Sequence, residues 1–554
     1  MSEEIKQAVK ALFDVDLTPD VTRPDSQFGD FATNVAMQLA AQLGRAPRQI
    51  AEELAGALRG QAGIAEVSVA GPGFLNIRVS DAVVKAAVQS ASNLPQVLAG
   101  KVVVAEYSDP NPFKVLHAGH LYTSMVGDAV ANVLQAAGAT VHRVNFGGDV
   151  GLHVGKTMWA ILQELGGEYP EKLSAIAESD RSEWMAASYI RGTAAYDDDE
   201  SAKRQIITLN KQVYQLHASN DHQSALAEIY WTCRQWSYDY FNAFYARIGT
   251  IFEKYYPESE VASLGLQTVR EQLAKGVFEE SNGAVIFDGE KFGLHTRVFI
   301  NSEGLPTYEA KDVGLIMKKK ADYNFDISLI ITGNEQEQYM AVVQKAVEQF
   351  APELTAASRH LTHGIVKLAG GVKMSSRKGN ILRAVDVLDS ATAANQQATG
   401  KDDDRVVLGA VKYSFLKQRI GGDIIYEPEE SVSIEGNSGP YLQYAYARAC
   451  SIMRKAGNPP SGGEYEAEFN DNERCLALKI SEYPEVINKV LKEYMPHHIC
   501  TYLYELTQTF NRFYEKERVI GSDREHDRLT LLGSYVGVLH SGLGLLGIEA
   551  PESM

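Results

Sequence analysis

Two histidines, His117 and His120, stand three apart in the stretch YSDPNPFKVLHAGHLYTSMVGD at residues 107–128. The Pro110-Asn111-Pro112 segment is rigid and cannot open a helix, so the apolar helical pattern after it is expected to begin at or just before His117. A helix start offers free N–H groups and the positive end of its dipole, an arrangement suited to a triphosphate. The imidazoles can donate to phosphate oxygens as charge builds on them, and Ala118 and Gly119 leave room for an adenine ring against the backbone. Zinc fits less well, because a HEXXH site needs histidines four apart with an intervening glutamate. Ordinary core histidines are the plain alternative.

A second stretch shifts that balance. Val372-Lys373-Met374-Ser375-Ser376-Arg377-Lys378-Gly379-Asn380 puts lysines on a glycine-flanked loop, where they can clamp β- and γ-phosphates as charge develops. A basic loop alone is usually a solvated turn. Two such segments, each bordering a strand of one sheet, are far more specific together.

Several elements must position these residues. KVVVAEYS, from Lys101, is the β-branched apolar run of a buried parallel strand. LYTSMVGDAVANVLQAAG then shows helical spacing up to Gly138, and TVHRVNFGGD reads as a second strand entering a glycine turn. Strand, loop, helix and strand make half of a doubly wound, Rossmann-like α/β sheet, a class that binds ligands at the carboxyl ends of its strands. GAVIFD, TRVFIN and FDISLIITG are further strand signals. Before the sheet, helical patterns (Ala32 to Leu43, Ala51 to Leu58) and strand-like VSVAGPGFLNIRVS suggest a small α+β unit. Residues 156–250 read as a helical, aromatic-rich insertion, ATGKDDDR (398–405) as a linker, and the remainder as all-α. The expected division is an α+β domain over 1–100, an α/β domain over 101–400 with its insertion at about 160–250, and a helical domain over 401–554.

The 554 residues are too many for one core, in keeping with several domains. A net charge of −18 argues on average against a nucleic-acid partner, although Arg45/Arg48, Lys318-Lys319-Lys320 and Lys516/Arg518 can supply local basic patches. The four cysteines form no CxxC, which speaks against a disulfide framework or zinc ribbon and for a reducing cytosol. No apolar run is long enough to span a membrane, and Met1-Ser2-Glu3-Glu4 is acidic where a signal peptide is basic, so a soluble cytoplasmic protein is expected.

HAGH and KMSSRKGN resemble the two signatures of class I aminoacyl-tRNA synthetases, and specifically those of the arginyl-tRNA synthetase family. The resemblance extends over nearly the whole chain. FGDFATNVAMQLA and GPGFLNIRV resemble the family's N-terminal tRNA-contacting domain, while VNFGGDVGLHVGK and TGNEQEQY resemble catalytic segments. NSGPYLQYAYARACSI and LGIEAPESM resemble its anticodon-binding domain. One departure stands out. The fourth position of the second signature is commonly lysine and here is Ser376, while Lys114 stands three residues before the first signature histidine, as in many arginyl enzymes. The cation's location has moved while its task stays the same.

The resemblance implies an arginine–tRNA ligase that activates arginine with ATP and Mg²⁺ and charges the terminal adenosine of tRNA(Arg). It implies catalysis by His117, His120, Lys114 and Lys373, and ATP contacts from Gly119, Glu335, Met374 and Ser375 as well. A guanidinium is best held by carboxylates in bidentate geometry. Glu106 ends an apolar strand, and Tyr308 and Asp312, four apart, share one helical face. Both match the family's arginine site, as do Asn111 and Gln336 at the α-amino and α-carboxylate end. Read without the family, either carboxylate fits an internal salt bridge equally well. Tyr441, Tyr444, Tyr514 and Met554 align with anticodon-contacting positions, although an aromatic stripe alone is more often core. The family further implies a monomer with no DNA or membrane partner. Three other readings stand beside this one: a class I synthetase of another specificity, a plain nucleotidyltransferase, and a non-catalytic tRNA-binding paralogue. Two carboxylates in the pocket, the extra domains, and the retained lysines and histidines argue against them in turn.

Overall fold

The computed structural model describes residues 1–369, 382–457 and 463–554. Near the N-terminus, β1 (Val21–Thr22), β2 (Phe31–Thr33), β3 (Ile64–Ala70) and β4 (Phe74–Val79) form an antiparallel sheet in the order β1-β2-β4-β3. Gly71 and Gly73, at φ 53° and 149°, close the turn between β3 and β4. The helices Val35–Leu43 and Pro47–Leu58 lay Leu39, Ile50, Leu54 and Leu58 over Leu75 and Ile77. The first begins later than its apolar pattern suggests, because Ala32 pairs with Asn76 in the sheet. The second begins earlier, at a proline whose missing N–H costs nothing in a first helical turn.

The central sheet grows from β5 (Val102–Glu106), β6 (Thr140–Gly147) and β7 (Lys254–Pro257). The next three strands, β8 (Glu279–Ser281), β9 (Ala284–Phe287) and β10 (Arg297–Ile300), form their own antiparallel sheet, so GAVIFD and TRVFIN lie outside the main one. With β11 (Ile327–Gly333) and β12 (Ser358–His363), the parallel sheet runs β12-β11-β5-β6-β7. Its central strand is covered on both faces, and Val103, Val104 and Ala105 are fully buried. That is why its apolar run does not alternate.

The helix Ala118–Ala136 lies against this strand at a fixed height. Gly127 faces the Tyr107 ring so closely that a Cβ there would overlap it. Beside it the Tyr107 hydroxyl donates to Asp128 Oδ1 at 2.6 Å. The connection between strand and helix departs from the rigid extended segment expected. Ser108, Asp109 and Phe113 have φ of 75°, 48° and 68°, each costing about 1–3 kcal/mol. Four hydrogen bonds hold them there. Ser108 Oγ meets Tyr245 Oη at 2.7 Å, and the Phe146 N–H donates to Asp109 Oδ1 at 2.8 Å. The Gly148 N–H donates to Asn111 Oδ1 at 2.7 Å and the Phe113 N–H to Ser237 Oγ at 2.9 Å.

The inserted helices Leu152–Leu165, Arg181–Asp198, Glu200–Ser219 and Ala225–Ile248 share an apolar core that includes Met158, Val213 and Tyr230. After the central sheet, β13 (Val366–Leu368) pairs in parallel with β14 (Ile424–Tyr426), a strand inside the part expected to be all helix. The stretch read as a linker is a tight connection between the helices Ala384–Thr399 and Asp404–Leu416, turned by Gly400 at φ 70° and capped by Asp403. Among the described residues five helices follow from Gly439 to Leu545. Among them Arg474 reaches back to Asp30 (2.6 Å) and Asp81, tying the N-terminal domain to the C-terminal helices through a buried ion cluster. Among the described residues no helix is long and apolar enough to cross a membrane.

The helix Gly439–Lys455 is capped by Ser438, whose Oγ accepts from the Tyr441 N–H at 3.2 Å. Ser438→Ala is expected to cost about 1 kcal/mol and to speed amide hydrogen exchange over residues 439–455 severalfold.

Candidate active site

His117 is the N-cap of the helix that carries His120, and the two rings cap it reciprocally. The Gly119 N–H donates to His117 Nδ1 at 3.1 Å, and the His117 N–H donates to His120 Nδ1 at 3.1 Å. The Ala118 N–H is taken by the Leu382 carbonyl at 2.8 Å. The expected row of free amides is therefore largely occupied, because buried helix-end donors must find partners within the chain. The consequence is chemical. With both Nδ1 atoms accepting, each neutral ring carries its proton on Nε2, which leaves one N–H donor per histidine. Burial, then the charge of Lys114, pushes His117 down to about 4. Burial and His117 push His120 well below the usual histidine range. The rings stack with centroids 3.7 Å apart.

Lys114 lies over the Tyr189 ring of the insertion, 4.5 Å from its centroid. The second basic segment falls outside the described residues, and Lys373, Met374 and Ser375 fall with it. Its C-terminal flank is described. Arg383 bridges to His117 as an antiparallel β-pair, and the Ala384 N–H donates to Leu116 O at 2.9 Å.

At the carboxyl end of β5 is a cluster of buried carboxyls. Glu106 is buried and paired through Oε2 with the equally buried Lys319, so the internal salt bridge is formed there. Asp312 accepts from the Tyr339 hydroxyl. Burial pushes its carboxyl up to about 8, with Glu106 and Glu258 adding to the rise. Asp109 is likewise held well above the usual range, by burial and then by Glu106. Glu258 pairs with Lys311 at 2.5 Å, both buried. Tyr308, on the first turn of the same helix as Asp312, is 53% exposed with its ring 5.1 Å from the Lys311 ammonium. Asn111 Oδ1 is engaged by Gly148, at a point where a Cβ would meet Asn111, Glu258 and His153 together. Glu335 and Gln336 are exposed in the turn that follows β11.

The structure thus gathers Glu106, Asn111, Tyr308 and Asp312, and brings Lys114 to His117 and His120. It adds Asp109, Glu258, Lys311, Lys319 and Tyr339, which sequence reasoning missed. Lys319 had a signal, since it stands seven residues after Asp312 and so on the same helical face. Glu258 opens the helix that directly follows the end of β7 and had none. In the C-terminal domain Tyr444 is 46% exposed and Met554, beyond the last helix, 40%, while Tyr441 accepts from Asn511 at 2.9 Å beside Tyr504. The Arg448 guanidinium covers the Tyr514 ring at 4.6 Å.

Residues 82–427 match the family model described as the class I (R) tRNA synthetase catalytic domain. Joined to a parallel sheet with a histidine-capped helix at its ligand-binding edge, that match makes the molecule a class I aminoacyl-tRNA synthetase. Residues 1–79 match the arginyl-tRNA synthetase N-terminal domain and residues 442–554 the DALR anticodon-binding domain. The chain belongs to the arginyl-tRNA synthetase family and is an ATP-dependent arginine–tRNA ligase. It is 30% identical to the arginine–tRNA ligase of Flavobacterium psychrophilum over 82% of this chain and 80% of the relative. With that of Porphyromonas gingivalis it shares 28% over 99% and 98%. The solved arginyl-tRNA synthetase of Thermus thermophilus superposes with a TM-score of 0.81 at 26% identity, covering 100% of this chain and 99% of that one.

Proposed function

We propose that the carboxyl-rich cluster holds the arginine substrate and the histidine-capped helix holds ATP. The capped histidines carry this reading, since with both Nδ1 atoms accepting each neutral ring keeps an Nε2–H donor. Glu106 and Asp312 take the guanidinium with Tyr308 stacked on it, and Asn111 and Gln336 hold the α-amino and α-carboxylate end. The substrate carboxylate is already ionised, so it attacks the α-phosphorus without a side-chain nucleophile. Catalysis is then positioning and charge stabilisation along an in-line displacement. His117, His120 and Lys114 stabilise the triphosphate, joined by Lys373 from the second signature. Gly119, Glu335, Met374 and Ser375 complete the nucleotide site, and Mg²⁺ arrives with ATP. The arginyl group then passes to the terminal adenosine of tRNA(Arg), whose anticodon loop meets Tyr441, Tyr444, Tyr514 and Met554, and whose body meets residues 1–100. The protein works as a cytoplasmic monomer.

ATP–pyrophosphate exchange with each amino acid, with and without tRNA(Arg), tests this. Exchange with arginine alone is the expected result, and a requirement for tRNA would match most of the subgroup. No exchange from folded protein under any condition would leave a tRNA-binding paralogue. Tyr189→Leu removes the ring under Lys114 and is expected to raise the KM for ATP roughly threefold to tenfold, with Tyr189→Phe close to wild type.

A further inference from the structure

His363 ends β12, in register with Gly333 of β11, and is almost completely buried. It takes no part in the steps proposed for the two capped histidines, yet its Nε2 is engaged by a neighbouring side chain. Nδ1 lies 2.8 Å from the Gly364 carbonyl. The Thr123 hydroxyl donates its one proton to the Gly119 carbonyl at 2.8 Å, so the ring's Nε2–H donates to Thr123 Oγ1 at 2.6 Å. The Tyr122 ring packs on the imidazole with centroids 4.6 Å apart, so the ring cannot swing away. Gly119 is also the residue whose N–H fixes His117. A chain of hydrogen bonds therefore runs from the corner after β12, through His363 and Thr123, to the peptide between the two capped histidines.

We propose that His363 is a positioning residue for adenylate formation, fastening the first turn that carries His117 and His120 to the β12 corner. The inference rests on the reading of that turn as the ATP site. The rate penalty for a loose turn comes from misplaced donors, since a displacement of about 1 Å can cost up to roughly 10²-fold. A binding contribution would show in KM instead.

The two ring nitrogens can be imitated separately. Glutamine at 363 places its amide where Nε2 stands and keeps the Thr123 link. Asparagine reaches only the Nδ1 position. His363→Asn and Thr123→Val are each expected to lower kcat for ATP–pyrophosphate exchange roughly tenfold, with the KM for arginine unchanged and the double variant no worse than either single. His363→Gln and Thr123→Ser are expected to stay within roughly threefold of wild type. Rates are counted per active site by titration, so partial misfolding does not imitate the effect. Additive losses, equal losses in the Gln and Asn variants, or an unchanged kcat in His363→Asn would each overturn the proposal. His120→Ala is measured alongside. If it too retains full exchange, the ATP-site reading has failed; if it alone loses exchange, only the role of His363 has.

Discussion

Arginine binds more tightly as the pH rises from 6 to 9, by close to tenfold per unit below about pH 8. This is the expected behaviour of a pocket in which Asp312 is held at about 8 by burial and by its carboxyl neighbours. A guanidinium stays charged throughout this range and needs the carboxylate form, so binding at pH 7 must expel the Asp312 proton. Calorimetry in buffers of different ionisation heat should find about one proton released per arginine at pH 7 and almost none at pH 9. Asp312→Asn should weaken arginine by roughly two to three orders of magnitude at high pH and flatten the dependence. An affinity that stays constant from pH 6 to 9 in the wild type would sink this account. Stability of the empty fold runs the opposite way. The folded carboxyl titrates above its unfolded value, so this group weakens the empty fold as the pH climbs from the ordinary aspartate range through about 8. Arginine relieves that cost and should raise the thermal midpoint more at pH 9 than at pH 6.

His120→Ala is expected to lower kcat for arginine activation by roughly 10²–10³-fold while changing the KM for arginine little. The reason lies in the capping. His120 Nδ1 is committed to the His117 amide, so the neutral ring offers one donor, on Nε2, in a fixed orientation. A donor already aimed needs no reorganisation as charge moves onto the departing pyrophosphate. His120→Asn is a useful companion, since its side chain can still accept from the His117 N–H. If Asn keeps the fold and loses the rate, the lost donor is the cause. Rates measured with tRNA(Arg) present at saturation keep a tRNA requirement from masking the result. A fall in kcat of less than threefold in both variants would remove His120 from the chemistry.

The two histidines and the buried apolar run before them are local features, and they locate the strand and helix before any tertiary contact is known. Periodicity alone is enough to expect an α/β sheet, an α+β start and a helical end. Periodicity does not choose partners. GAVIFD and TRVFIN read as strands in sequence just as FDISLIITG does, yet they pair with each other and with Glu279–Ser281 rather than in the main sheet, a choice made by packing over distance. The left-handed backbone at Ser108, Asp109 and Phe113 is invisible in sequence, because residues 37 to 137 positions away supply the hydrogen bonds that enforce it, such as Phe146, Ser237 and Tyr245.

The site divides along the same line. Residue types and their spacing name Glu106, Tyr308 and Asp312 as parts of an arginine pocket through a family likeness. Their electrostatic state is set by neighbours contributed from other elements. Lys319 neutralises Glu106, and Tyr339 and Glu258 act on Asp312 from two helices elsewhere in the chain. Charge and solvent exclusion are properties of a folded cavity, summed over groups that no local pattern connects. Candidate residues for the chemistry can be named along the chain; which of them are protonated, and which nitrogen of a histidine bears its hydrogen, depends on contacts that exist only once the chain is folded.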